Sequence, residues 1–526
     1  MSAPPRQGYA APSGLRTAAS IVSTFLLATC SRTAPPPAKP APVPLGRPVP
    51  ATPPSLEAPP PVRLPAPLPV MAREFRGVWV ATVENMDWPS RPGLPTAQQQ
   101  AQLLRILDRA AALHLNAIIF QVRPAADAFY ESSLEPWSHW LTGEQGRAPE
   151  PRWDPLAFAV QEAHKRGLEL HAWFNPYRAG YTSPRWHAAP THITRTHPEL
   201  VRRYGSYLWL DPGLTETRSH AMQVVIDVVR RYDIDGVQID DYFYPYLERG
   251  RNGKYLPFPD DATYRRYRDQ GGDLARDDWR RENVNALVRQ LYDAIKATKP
   301  WVKFGISPFG IWRPGSPRGV DGLDSYTEIF ADSKKWLNNG WLDYLAPQLY
   351  WKVDAPRQRY TTLLEWWEEQ NAHARHLWPG NFTSRVGGRG PSAWSADEIV
   401  RQVDLTRRSE GASGNIHFSA SALMDNAGGI ADRLRRVYDE PALVPESPWL
   451  GAAKPAAPSV SLDDAGDDEG YVLHVAPTDS VVPRFWVVRV HDQTGGWTTQ
   501  IASGADRAVR LTGAYLPPYV VAVSEV

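Results

Sequence analysis

Between about residues 73 and 440 the hydrophobic positions keep two rhythms that take turns. One has period two, or runs apolar for a few residues, as a strand does. The other repeats every three to four residues, as one face of a helix does. Strands are expected at Phe75–Val83, Leu115–Arg123, Leu168–Arg178, Asp233–Pro245, Val302–Trp312, Leu342–Trp351, His376–Val386 (the weakest) and Asn415–Ala422. Helices are expected at Thr96–His114, Asp154–Gly167, Ala221–Tyr232, Asp277–Thr298, Tyr326–Asn339, Tyr360–Ala374, Ser395–Glu410 and Gly429–Tyr438. Eight alternations of this kind predict an α/β protein of the (β/α)8 TIM-type barrel class. A doubly wound open sheet is the competing topology. The chain has no Gly-x-Gly-x-x-Gly and no phosphate loop, which counts against the nucleotide-binding form of that sheet.

The flanks keep other patterns. Arg6 and Arg16 precede an apolar run, Ala18–Thr29, that ends at Cys30, and Leu27-Ala-Thr-Cys30 looks like a bacterial lipobox. Residues 1–30 are therefore expected to be a lipoprotein-type signal. Cys30 is the expected lipidation site, and the outer membrane facing the periplasm is the expected location. Residues 31–70 are dominated by Pro and Ala, as in Ala34-Pro-Pro-Pro-Ala-Lys-Pro40, and are expected to be an extended tether. Residues 71–440 hold the barrel pattern. In 441–526 short alternating runs such as Tyr471–Val475, Arg484–Val490 and Tyr519–Val523 alternate with turn residues, which predicts a linker and a small β-sandwich, fibronectin type III-like.

Composition narrows the function. A net charge of +1 implies no polyanion, so no nucleic-acid partner is expected, and the sequence fixes no oligomeric state. The chain carries 21 Trp, spread through the central region, and an indole face packs well on the apolar face of a pyranose. No His, Asp and Glu cluster sits at ligand spacing, so neither a metal nor a cofactor is expected.

Barrel strands deliver their site residues at their C-terminal ends. Collecting polar residues there gives Glu84 and Asp87, Gln121 and Arg123, Asn175, Tyr177 and Arg178, Asp240 and Asp241, Ser307, and Gln348 with Tyr350. Alternation along Asp233–Pro245 puts Gln238, Asp240 and Tyr242 on one face and Val237 and Ile239 on the other. Two adjacent acids under aromatic cover suit glycoside hydrolysis, which needs one carboxyl kept protonated and a second group at the oxocarbenium-like centre. Asp240 is the expected principal carboxylate, with Asp241 the alternative and Glu84 next. Trp79, Trp173, Tyr242, Tyr244, Trp312, Tyr350 and Trp351 are the expected sugar platforms, although any one of them could equally be core. Gln121, Arg123, Asn175 and Gln348 are expected to hold hydroxyl or acetamido groups.

Six segments in order, Glu74-Phe-Arg-Gly-Val-Trp-Val80, Phe120-Gln-Val-Arg-Pro124, Ala172-Trp-Phe-Asn-Pro-Tyr-Arg178, Asp235-Gly-Val-Gln-Ile-Asp-Asp-Tyr-Phe-Tyr-Pro245, Gly305-Ile-Ser-Pro-Phe-Gly-Ile-Trp312 and Ala346-Pro-Gln-Leu-Tyr-Trp351, resemble glycosyl hydrolase-like family 10. The resemblance covers residues 73 to 440. It implies a (β/α)8 barrel in a bacterial envelope lipoprotein that hydrolyses peptidoglycan glycan strands stripped of their stem peptides. A more distant likeness is to the family 18 chitinases. Aligning Asp235-Gly236 with their strand-four motif puts Tyr242 where their acid Glu would stand. Gln348-Leu-Tyr350 is similar to the segment that holds an acetamido group in some of them. The alternatives left open are a glycan-binding protein without catalysis and a hydrolase of a secreted exopolysaccharide.

Overall fold

The computed structural model describes residues 70–525 save Arg185 and the segments 389–392, 452–455, 465–469, 481–482, 492–495 and 512–519. The expected signal, Cys30 and the tether lie outside the described residues, except Val70.

Eight parallel strands form the barrel: β1 Phe75–Val80, β2 Ala117–Arg123, β3 Glu169–Phe174, β4 Gly236–Ile239, β5 Lys303–Ile306, β6 Tyr344–Leu345, β7, and β8 Gly414–His417. β7 is in two pieces around Trp378-Pro379. Its first, His376–Leu377, pairs with β6, and its second, Gly380–Asn381, pairs with β8, which in turn pairs with β1. The pairing thus returns to its start. Each strand is followed by a helix: α1 Thr96–Ala112, α2 Pro155–His164, α3 Thr215–Arg231, α4 Arg276–Thr298, α5 Ser333–Asn338, α6 Tyr360–Glu369, α7 Ala396–Arg408 and α8 Ile430–Val437.

The two faces of each strand explain the packing. Outward residues such as Val78, Phe120, Leu170, Val237, Phe304 and Leu345 are fully buried against the helices. Inward residues Phe75, Trp79, Ile119, Trp173, Tyr344, Trp378 and Ile416 fill the barrel itself. Helix starts follow local chemistry. Asp154 accepts a hydrogen bond from the Ala157 amide at 2.9 Å, and Pro155 opens α2, where its missing N–H costs nothing.

Several strands stop earlier than the hydrophobic pattern suggests. β3, β5 and β6 end at Phe174, Ile306 and Leu345, not at Arg178, Trp312 and Trp351. Pro176, Pro308 and Pro347 follow within two residues, and proline cannot donate to the ladder. The expected helix Tyr326–Asn339 is two short helices, Ser325–Glu328 and α5. Phe330, with φ of 56°, breaks the run between them. The loops after β2, β3 and β4 are long. The loop after β3 carries a three-stranded antiparallel sheet, Arg178–Tyr181, Val201–Tyr204 and Tyr207–Leu210, beside the C-terminal ends of the barrel strands.

Beyond the barrel stand two three-stranded antiparallel sheets, 459–464 with 471–476 and 508–511, and 485–491 with 497–503 and 520–525. Leu473, Val475, Trp486, Val488 and Val509 make their shared core. Arg484 ties this module to the barrel floor. It donates to Asp233 at 2.6 and 2.9 Å and pairs with Asp235 at 3.1 Å, just before β4 begins.

Candidate active site

The barrel interior is built in layers from the floor to the mouth. At the floor Glu169 pairs with Lys303 at 2.8 Å and meets His171 at 3.0 Å. Above it the rings of His171 and Tyr344 occupy the space beside β4 and β5. A Cβ on Gly236 would stand 2.5 Å from the His171 ring, and one on Gly305 would stand 2.0 Å from the Tyr344 ring, so both positions need glycine. Next come Trp79 and Gln238, joined by an indole N–H to amide oxygen bond of 3.2 Å, and Gln238 donates onward to the Ser307 hydroxyl at 2.7 Å.

The topmost layer holds a directed relay. The backbone amides of Thr82 and Val83 both donate to Gln121 Oε1 at 2.9 Å. This turns Gln121 Nε2 toward Asn175 Oδ1, 2.7 Å away. Arg178 also donates to that oxygen, at 3.0 Å. With its oxygen doubly occupied, Asn175 presents Nδ2 to Asp240 Oδ2 at 2.5 Å. Asp240 Oδ1 is buried and has no partner among the described residues. Arg178 further donates to the Tyr242 hydroxyl at 2.6 Å and to the Pro124 carbonyl at 2.8 Å.

Asp241 turns the other way, toward β6. It accepts from the Tyr246 hydroxyl and from the Gln348 side chain. Gln348 is held at the same time by the Ser307 carbonyl at 3.0 Å. Burial pushes both carboxyls above the ordinary carboxylate range, and the two charges raise Asp240 further. Arg178, the hydrogen bond from Asn175 and the neighbouring Tyr242 hydroxyl pull Asp240 down without cancelling the burial. One proton is therefore retained by the pair far more readily than by a free carboxyl.

Other expected site residues serve different ends. Arg123 is wholly buried, forked onto Glu135 at 2.8 and 2.5 Å and bonded to the Asn175 carbonyl, so it braces β2 against β3. Asp87 links the loop after β1 to that after β8, accepting from Ala81 N, Ser419 Oγ and Ser421 N at 2.8, 2.7 and 2.9 Å. Tyr177 and Tyr244 are fully buried core, the latter between Phe258 and Phe330. Trp312 stacks on Trp366 among the helices. Trp79 and Trp173 floor the site inside the barrel. Tyr242, Tyr350 and Trp351 stay half-buried; Tyr350 stacks on Phe382 at 4.6 Å, and Trp351 stands edge-on to Phe309 at 5.5 Å. Glu84 is exposed on the turn after β1.

Sequence reasoning passed over Tyr246, Tyr181, Tyr207 and Phe382. Tyr246 was within reach of the pattern, because Tyr242, Tyr244 and Tyr246 alternate. The chain leaves strand geometry after Ile239, so Tyr242 and Tyr246 reach the mouth while Tyr244 enters the core. Tyr181 and Tyr207 belong to the inserted sheet, whose pairing is non-local. Among the described residues no group of three His, Cys, Asp or Glu side chains could hold a metal ion.

A family model described as glycosyl hydrolase-like 10 matches residues 74–393. Glycosyl hydrolase YngK of Bacillus subtilis is 43% identical over 399 residues, 74% of this chain and 76% of that protein. Glycosyl hydrolase DigH of Escherichia coli K12 is 37% identical over 377 residues, 66% of this chain and 83% of that protein. Among solved structures, the catalytic domain of a β-amylase from Paenibacillus polymyxa aligns with a TM-score of 0.47 at 12% identity, covering 70% of this chain and 98% of that one. With its β4 acids at the mouth of a closed parallel barrel, the chain belongs to the glycosyl hydrolase-like 10 family and is a glycosidase by class.

Proposed function

We propose that the protein hydrolyses the glycan strands of peptidoglycan from which stem peptides have been removed, at the bacterial envelope, anchored through Cys30. The observation that carries the chemistry is the Asp240–Asp241 pair, buried at the end of β4 with both carboxyls pushed above their ordinary range, and with one oxygen of Asp240 unpartnered among the described residues.

Asn175 fixes Asp240 Oδ2, which leaves Oδ1 as the atom that presents the proton to the glycosidic oxygen. As the bond from the anomeric carbon to that oxygen breaks, positive charge grows on the sugar. Asp241, oriented by Tyr246 and Gln348, supplies the facing negative charge. Water adds to the anomeric carbon and its proton returns to Asp240, which restores the starting state. Tyr242 and Tyr350 offer half-buried rings for the sugar faces. The substrate class rests on the family resemblance and on the Gln348-Leu-Tyr350 segment.

The test is mass spectrometry of products released from purified glycan strands, intact and amidase-treated, and from an N-acetylated exopolysaccharide. Sugar fragments from the amidase-treated strands alone are expected. Products from the exopolysaccharide alone would replace the substrate, and no products from any of the three would sink the reading.

A further inference from the structure

The turn after β1 is built unlike a passive connection. Glu84 and Asn85 adopt φ of 55° and 53°, the left-handed region that side chains avoid and that Glu has little reason to enter. Outliers of this kind persist where the surroundings force them, and they gather at functional sites. The surroundings here do force it. Gln121 clamps the Thr82 and Val83 amides, Asp87 accepts from the Ala81 amide, and the Asn85 side chain donates to the Trp140 carbonyl at 2.8 Å. What this rigid turn presents is the Glu84 carboxylate, exposed, with no hydrogen bond or ion pair to any described residue.

A line of rings runs from that turn to the acids. Trp140 meets Tyr181 at 5.7 Å, Tyr181 meets Tyr207 at 5.5 Å, Tyr207 meets Trp209 at 6.0 Å, and Trp209 meets Tyr242 at 5.9 Å. Tyr181 and Tyr207 are half-buried on the inserted sheet. Trp140, whose carbonyl holds Asn85, touches Tyr181, so the tyrosine pair lies between the turn that carries Glu84 and the ring of Tyr242.

The structure assigns Glu84, Tyr181 and Tyr207 to a sugar-binding subsite at the rim, taking an amino-sugar unit of the glycan away from the scissile bond. The tyrosine rings offer apolar faces to a pyranose. The Glu84 carboxylate, carried on that held turn, accepts hydrogen bonds from its hydroxyl or amide N–H groups, and such bonds to a charged acceptor are the stronger kind. Glu84 is then a binding residue and not the catalytic acid, since it is exposed on the turn after β1 while the acid pair is buried at the end of β4. The assignment rests on the proposed action on an amino-sugar glycan.

Calorimetric titration of the full chain carrying Asp240→Asn with short and long N-acetylglucosamine oligomers tests it without turnover. Long oligomers are expected to bind about tenfold tighter than short ones, and adding Glu84→Gln or Tyr207→Leu is expected to abolish that gap. Affinity independent of length, a gap that survives both substitutions, or no binding by any oligomer overturns the subsite. So does a fall of about a hundredfold in kcat for Glu84→Gln on the shortest cleaved strand, which would put Glu84 in the chemistry. Turnover of amidase-treated strands by the unsubstituted protein is read separately, so loss of the proposed reaction and loss of the subsite give different results.

Discussion

The two ends of the barrel bury carboxylates in opposite ways. At the floor the acids have cationic partners: Glu169 has Lys303, Asp343 has Lys296 at 2.5 Å, and Asp235 has Arg484 at 3.1 Å. Burial would lift Glu169, but Lys303 and His171 outweigh it and hold the carboxyl below its ordinary range. At the mouth Asp240 and Asp241 stand side by side, and the nearby Arg178 spends its fork on Pro124, Asn175 and Tyr242. Those two carboxyls go up. One fold thus gives one set of acids cationic partners that anchor strands, and leaves another pair with carboxyls raised above their ordinary range. The difference is the presence of a dedicated cation, not the depth of burial.

Substitutions at the two ends should separate the roles. Asp240→Asn should cut kcat/KM about a thousandfold on glycan strands while leaving the fold intact, measured by product release and circular dichroism. Lys303→Met leaves Glu169 buried without its main cation. It should cost about 3 kcal/mol in urea unfolding while the rate per folded molecule is kept, and equal loss of rate and stability would erase the contrast between the ends. On the proposed role of Asp240 as proton donor, activity should fall as pH rises through its raised pKa. Asn175→Ala removes a hydrogen bond that favours the charged form, so that alkaline limb should move up by about one pH unit, read from the pH profile of kcat/KM. The smallest effect concerns stability. A carboxyl whose folded pKa is raised contributes stability that is full below its unfolded pKa and lost as pH rises through the folded one. Asp240→Asn removes that loss and should raise the neutral-pH Tm by about two degrees, with no gain at pH values where the wild-type carboxyl is protonated in both states.

Much of the barrel was legible because period-two alternation sorts inward from outward residues. It set Gln238 and Asp240 apart from Val237 and Ile239, and the structure keeps that division. The acid pair was legible for the same reason. What the pattern could not carry was where pairing stops, since the apolar runs continue past Pro176, Pro308 and Pro347 while the ladder does not. Nor could it assign aromatic duty. Tyr242 and Tyr244 look alike in sequence, yet one bonds Arg178 at the mouth and the other fills a gap beside Phe258. The Gln121–Asn175–Asp240 relay joins three strands, and only their alignment reveals that Gln121 meets protein.

One topographic fact has a bearing on how the enzyme would be presented. The chain enters the barrel at its floor, where the Glu74 amide bonds the Leu443 carbonyl at 2.9 Å, and the C-terminal module is fastened to the same floor by Arg484. Both attachments leave the opposite end free. A partner or surface that met the barrel on this underside would therefore leave the cleft uncovered, like an open palm.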